Sequence, residues 1–263
     1  MYLSCLRVAV GATGEAPTIG GRWLANRYRV HQRLCMAFPH AEKLAEDPDF
    51  LAPFAPAHFP LLRVGAEESK AVLGTEALAQ VHAPRNRDGG FLFRIDPTRA
   101  GVQIIVQSAQ RPNWSYAFSN FGGVLVGDPD VREFVPKLAV GQRLQFRLEA
   151  NPTRKIDTKS AADGTRRHGR RVAVPATECV DWMRRFERSG GFSLEPQSVR
   201  LECSIVRARK SAQQEGGDGY FTARFDGVLT VTDPHAFQRK LFSGYGSAKA
   251  YGFGLMSVIP ALQ

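Results

Sequence analysis

Polar and apolar positions alternate along several short stretches of this chain and recur at helical spacing along others, and the two patterns take turns. Residues 3–10 alternate weakly and predict a strand. A glycine-rich stretch, residues 11–21, leads to Asn26, a good N-cap for a helix over residues 27–38 that Pro39 stops. Successive residues of that helix advance by about 100°, which puts Val30, Leu34 and Phe38 on one face and Arg29 and Arg33 opposite. Phe91-Leu92-Phe93-Arg94-Ile95 and Val102-Gln103-Ile104-Ile105-Val106 flank the turn residues 96–101 and predict a hairpin. A short helix over 114–118 and a strand over 131–138 complete the order β-α-β-β-α-β.

The second half repeats that order. Residues 143–150 alternate as a half-buried strand should, and Thr177 caps a helix through Arg188 with Val180, Met183 and Phe186 at core spacing. Strands over 198–207 and 221–231, a helix over 234–242 and a closing strand over 254–259 follow. Two copies of β-α-β-β-α-β predict an α+β protein of tandem ferredoxin-like domains, residues 1–140 and 141–263, the arrangement of an RNA-recognition motif. Residues 41–90 are rich in Pro, Ala and charge and fit neither period, apart from a possible helix over 67–80. A segment of that length reads as an elaboration or a mobile flap.

Composition narrows the partner more than the fold. The 263 residues are 43% hydrophobic with 17 Phe, enough for real cores, and carry a net charge of +10 with a pI near 9.8. Such a balance favours a polyanion such as RNA, DNA or an anionic surface. A membrane partner is not expected, because no apolar run approaches the roughly 18 residues of a spanning helix. The start, Met1-Tyr2-Leu3-Ser4-Cys5-Leu6-Arg7, lacks the layout of a signal peptide. Cys5, Cys35, Cys179 and Cys203 lie far apart with no C-x-x-C pair, and His40, His58 and His82 fall in Pro-rich irregular sequence. No metal, no cofactor and no disulfide framework are expected, and a reduced cytoplasmic setting fits.

Candidate chemistry concentrates in three places. Between the last helix and the last strand, Gly244, Gly246, Gly252 and Gly254 surround Lys249, so the backbone can approach a phosphate beside one positive charge. The segment is neither a dinucleotide fingerprint, which needs glycine where Lys249 sits, nor a Walker A loop, and it runs helix to strand, the reverse of both. A turn that only docks the last strand is the competing reading. His31 lies on the border of the apolar stripe of its helix, where an imidazole exchanging protons near neutral pH and a core-edge histidine are both admissible; Tyr28 is one turn back. The strongest charge run is Arg166-Arg167-His168-Gly169-Arg170-Arg171, preceded by Arg154, Lys155 and Lys159.

One combination is more specific than any of its parts. Met1-Tyr2-Leu3, Tyr28-x-x-His31-Gln32 with Phe38-Pro39, Phe91-Leu92-Phe93-Arg94, Val106-Gln107-Ser108, Phe146-Arg147-Leu148-x-Ala150-Asn151-Pro152, Phe225-x-Gly227-x-Leu229 and the 244–254 loop occur in order. Together they resemble the CasE family of CRISPR-associated repeat-RNA endoribonucleases, the processing subunit of type I-E Cascade. The resemblance implies binding of the CRISPR repeat hairpin, metal-independent cleavage at its 3′ base through the 2′-OH, and retention of the guide RNA with other Cascade subunits. It implies His31 as the proton-transferring residue, Tyr28 as the residue that positions the phosphate, Lys249 and its glycines as backbone contacts, and Arg166, Arg167, Arg170 and Arg171 as a basic hairpin on the RNA stem. A tandem RNA-hairpin-binding protein that does not cut, with His31 structural, is the alternative.

Overall fold

The computed structural model describes residues 1–11, 18–38, 90–119, 121–156, 170–208 and 218–261. By its contacts the chain divides into two compact units, Met1–Val135 and Pro136–Gln263. The segment over 41–89, with the helix expected at 67–80, lies outside the described residues, as do Arg166 and Arg167.

In the first unit, β1 (Tyr2–Val8), β2 (Phe91–Thr98), β3 (Gly101–Ser108) and β4 (Asp130–Glu133) form one antiparallel sheet in the order β2-β3-β1-β4. Register pairs Leu6 with Ile104 and Phe93 with Val106, so the alternation of all three strands delivers one apolar face. That face meets Trp23 of α1 (Ile19–Leu24), Val30 and Leu34 of α2 (Arg27–Cys35), Phe38, and Trp114 of α3 (Trp114–Phe118).

Three departures from the expected elements have local causes. Helix α1 starts inside the glycine-rich stretch, where Thr18 both accepts from the Gly21 amide and donates to Ala9 O at 2.7 Å. Gly20 is needed there because a Cβ would stand 2.3 Å from Ala9 O. Helix α2 stops at Cys35, three residues early, and tightens into a turn in which Ala37 and Phe38 bond back to Leu34 O and Cys35 O. Ala37 O accepts instead from Asn113 N, at the N-cap of α3. Strand β4 covers only part of 131–138, because β1 starts at Tyr2 opposite Glu133 and the pairing ends one bond further on, where Met1 O accepts from Phe134 N at 2.8 Å.

The second unit repeats the topology. Its strands β5 (Arg143–Ala150), β8 (Phe192–Leu194), β9 (Arg200–Ala208), β10 (Asp218–Val231) and β11 (Met256–Pro260) order as β11-β5-β10, and β9 and β8 share the remaining edge of β10. The helix expected over 177–188 is divided into a 3-10 turn, α4 (Cys179–Arg184) and α5 (Glu187–Gly190), and Thr177 lies in the turn rather than capping. Met183 still reaches the core, with Val180 and Phe186 packed against it. Helix α6 (Pro234–Ser243) is capped by Asp233, whose carboxylate accepts from Ala236 N at 3.0 Å. A two-stranded ribbon, β6 (Thr153–Ile156) with β7 (Arg170–Ala173), is added between β5 and α4. Both units therefore have the split βαβ order of the ferredoxin-like fold, in tandem.

Candidate functional site

Helix α2 carries the candidate residues of the first unit, Tyr28 and His31. Asn26 Oδ1 accepts from the Tyr28 amide at 3.1 Å and sets the phase of the helix from its first turn. That phase buries His31 to 7% exposure, deeper than the border position its spacing predicts. Its ring stacks on Phe91, with centroids 5.4 Å apart and planes 23° apart, and lies nearly parallel to Phe93 at 6.3 Å. The Tyr28 ring, half-buried, sits 6.3 Å from the imidazole. One turn further along, Cys35 Sγ is 3.2 Å from His31 Nε2. Arg33 does not point away from the stripe: its guanidinium donates to Ala117 O at 3.0 Å and covers the Phe121 ring at 4.7 Å.

A second constellation surrounds the C-terminus of α6. Gly244, Gly246, Ser247 and Lys249 of the glycine-rich loop, Lys240 and Ser243 of α6, Arg171 of β7, Thr153 of β6, and the rings of Trp182 and Phe186 line a pocket of 310 Å3. Three of these side chains are cationic. Lys249 Nζ donates to Ser243 O at the end of α6, where an ammonium offsets the negative end of the helix dipole and makes the site tolerable to an anion. Lys240 Nζ stands 4.7 Å over the Phe186 ring and 5.1 Å over the Tyr245 ring. Burial lowers the pKa of both lysines, and the charge of Lys249 lowers Lys240 further.

The four glycines divide their work. Gly244 and Gly246 line the pocket; a Cβ on Gly246 would come within 3.1 Å of Trp182. Gly252 closes the 3-10 turn Lys249–Tyr251 and Gly254 holds the loop to the sheet. Gly254 N donates to Glu149 O at 2.8 Å and its carbonyl accepts from Tyr245 N at 2.9 Å. With φ +92 and a hypothetical Cβ 2.5 Å from Tyr245 O, position 254 admits only glycine without a backbone shift. The first half of the loop thus faces the pocket and the second half docks β11.

The Asn151-Pro152 motif anchors the loop from the other side. Ser247 Oγ donates to Asn151 Oδ1 at 3.0 Å, while Asn151 Nδ2 donates to Phe221 O at 2.7 Å. Of the basic run, Arg171 is exposed at the pocket, Arg170 pairs through its backbone with Ile156, and Arg154 is ion-paired to Glu178 at 2.7 Å. Sequence reasoning missed Lys240, Thr153, Ser247 and Cys35. Lys240 alone left a signal, a lysine in the last turn of the helix that enters the glycine loop. Among the described residues no three His, Cys, Asp or Glu side chains converge as metal ligands, and no helix is long and apolar enough to cross a membrane.

Tandem ferredoxin-like units of this topology place the chain in a structural class that includes a CRISPR endoribonuclease. The structure of Cse3 bound to 19 nt RNA superposes with a TM-score of 0.64 at 26% identity, covering 99% of this chain and 100% of that one. The chain is 32% identical over 182 residues to the CRISPR-associated endoribonuclease Cse3 of Thermus thermophilus, spanning 65% of this chain and 80% of the relative. It is 30% identical over 176 residues to the CRISPR system Cascade subunit CasE of Escherichia coli, spanning 65% and 81%. The family model described as CRISPR associated protein matches residues 74–260. The chain belongs to that family, in agreement with its resemblance to CasE.

Proposed function

We propose that this protein is the endoribonuclease that binds the CRISPR repeat hairpin of precursor RNA, cuts at its 3′ base and keeps the product within Cascade. The observation that carries the reading is His31, held between Tyr28 and the Phe91 and Phe93 rings, in a chain whose relatives are named endoribonucleases. RNA cleavage without a metal requires only proton transfers and phosphate positioning. The 2′-oxygen preceding the scissile phosphate forms a bond to phosphorus and loses its proton. The bond from phosphorus to the 5′-oxygen breaks and that oxygen gains a proton, leaving a 2′,3′-cyclic phosphate and a 5′-OH. His31 carries one of these two protons, and an imidazole is the side chain best matched to the task near neutral pH. Tyr28 orients the reacting phosphate.

In the second unit, Lys249, Arg171 and the amide of Gly246 take RNA phosphate at the pocket; Gly244, whose own amide caps α6 by donating to Lys240 O, lets the chain turn beside it, and Gly252 and Gly254 keep that loop in shape. Arg166, Arg167 and Arg170 bind the RNA stem. The pocket is polar and cationic rather than apolar, as a phosphate site should be.

The deep burial of His31 favours one competing reading, a hairpin-binding protein in which that ring is structural. A labelled repeat hairpin incubated with the protein in EDTA separates the two. Cleavage that is lost with His31→Ala, and with a 2′-deoxy nucleotide before the cut, is the expected result. Tight binding without any cleavage overturns the nuclease.

A further inference from the structure

We propose that Thr153 accepts a hydrogen bond from a ribose 2′-OH at the pocket beside α6, so that this site tells RNA from DNA; the inference rests on the reading of that pocket as an RNA phosphate site above. Four polar groups form a chain whose direction is fixed at one end. Asn151 is buried, and its side-chain amide lies 2.7 Å from Phe221 O. A carbonyl only accepts, so Nδ2 of that amide faces it and Oδ1 faces Ser247. Ser247 Oγ stands 3.0 Å from Oδ1 and 3.3 Å from the backbone carbonyl of Asn151. Both are acceptors, and the single proton of the serine hydroxyl is therefore committed to Asn151.

Thr153 Oγ1 lies 3.2 Å from Ser247 Oγ, a distance at which either hydroxyl could donate. With the serine proton committed, only Thr153 can. The reverse direction would turn serine lone pairs onto Oδ1 and leave that buried acceptor unpaired. Thr153 thus gives its one proton to Ser247 and keeps lone pairs for the pocket that it lines. That polarity is wrong for a phosphate, whose oxygens also only accept, and right for a donor. In RNA each backbone phosphate has such a donor beside it, the 2′-OH of the ribose to which it is attached, and DNA has none. Lys249 and Arg171 hold the backbone of either nucleic acid by charge, and Thr153 adds a bond that only RNA makes. Asn151 and Ser247 are positioning residues: they touch no RNA in forming this bond, and they set which way the Thr153 proton points.

The test measures Kd for repeat hairpins that carry one 2′-deoxy nucleotide each, scanned through every position. The full-length His31→Ala protein serves as parent so that the hairpin stays whole, and Thr153→Val, Thr153→Ser and Ser247→Ala are added to it. Loss of one hydrogen bond predicts one scanned position at which the parent binds about three- to tenfold more weakly. Thr153→Val keeps the shape and removes the hydroxyl. It should bind the all-ribose hairpin about three- to tenfold more weakly, and the 2′-deoxy substitution at that position should then cost less than about twofold more. Thr153→Ser restores the effect of that position, and Ser247→Ala, which frees the Thr153 proton, blunts it. Equal weakening of every hairpin by Thr153→Val overturns the proposal, because a packing residue or a phosphate donor would behave that way. So does a position effect that survives undiminished in Thr153→Val. If the parent binds no repeat hairpin at all, the RNA reading of the pocket has failed first and the role of Thr153 falls with it.

Discussion

The two candidate sites are built on opposite principles. The site on α2 is built from rings: an imidazole lies flat on two phenylalanine rings beside a half-buried phenol and a thiol. The pocket beside α6 gathers Arg171, Lys240 and Lys249 around a glycine loop of which Gly246 is the partly exposed member. A group that must exchange protons gains from a shielded place, where ring orientation is set by packing. A group that must hold a phosphate gains from charge and flexible donors near water. Same fold, two environments: on the proposed reading, chemistry belongs where side chains are locked and grip where they are charged.

That contrast breaks most severely at His31. His31→Ala should lower single-turnover cleavage by about 10²–10⁴-fold while hairpin Kd stays within about threefold. An equal loss in rate and affinity would move His31 from chemistry to binding. Next comes Gly254→Ala, which places a Cβ against Tyr245 O at a backbone angle side chains rarely adopt. It should cost about 2–4 kcal/mol and lower Tm by about 5–10 °C, read by thermal melting. An unchanged Tm would mean that the second half of the loop is not the structural half.

The lysines sharpen the pocket side of the comparison with smaller effects. Lys249→Ala and Lys240→Met should each weaken hairpin binding about three- to tenfold and reduce the log–log salt slope by about one. Unchanged slopes would remove them from the RNA site. Stability gives a second readout. Burial depresses both pKa values, so between the depressed and the ordinary lysine values the unfolded chain binds more protons than the folded one. Stability then rises with pH through that window, and the charged Lys240 is a cost below it. Lys240→Met should therefore raise Tm at pH 7 even as it weakens binding; a lower Tm would show that its contact with the two rings outweighs the cost. The smallest effect expected is at Ala248, the one non-glycine among the described residues with positive φ, at 57°. Ala248→Gly should stabilise the loop by about 0.5–1 kcal/mol, a Tm rise of about 2–4 °C.

Much of the scaffold was legible because it is local. Val30 and Leu34 announced the buried face of α2 by spacing, with Phe38 beyond its end, Asn26 announced its start, and alternation announced β5, since each signal acts within a few residues of itself. The errors are local patterns overruled at a distance. Helix α1 was hidden because the glycine that ends a helix in isolation here lets one pack on Ala9, and the helix over 177–188 divided at Arg185-Phe186, where Phe186 N bonds back three residues to Met183 O. The site was legible in its motif residues and illegible in their company.

Alternating and helical periods, caps and the glycine spacing of residues 244–254 are properties of neighbours along the chain, and the amino-acid sequence by itself determined from them a duplicated β-α-β-β-α-β chain carrying His31 and Lys249. Only the tertiary structure decided that Arg171, Lys240 and Thr153 share one pocket, that Gly244 and Gly246 face it while Gly254 does not, and that Cys35 meets Nε2 of His31. Convergence of side chains separated by scores of residues depends on how the strands return, and rotamers depend on what packs against them; neither leaves a period in the sequence.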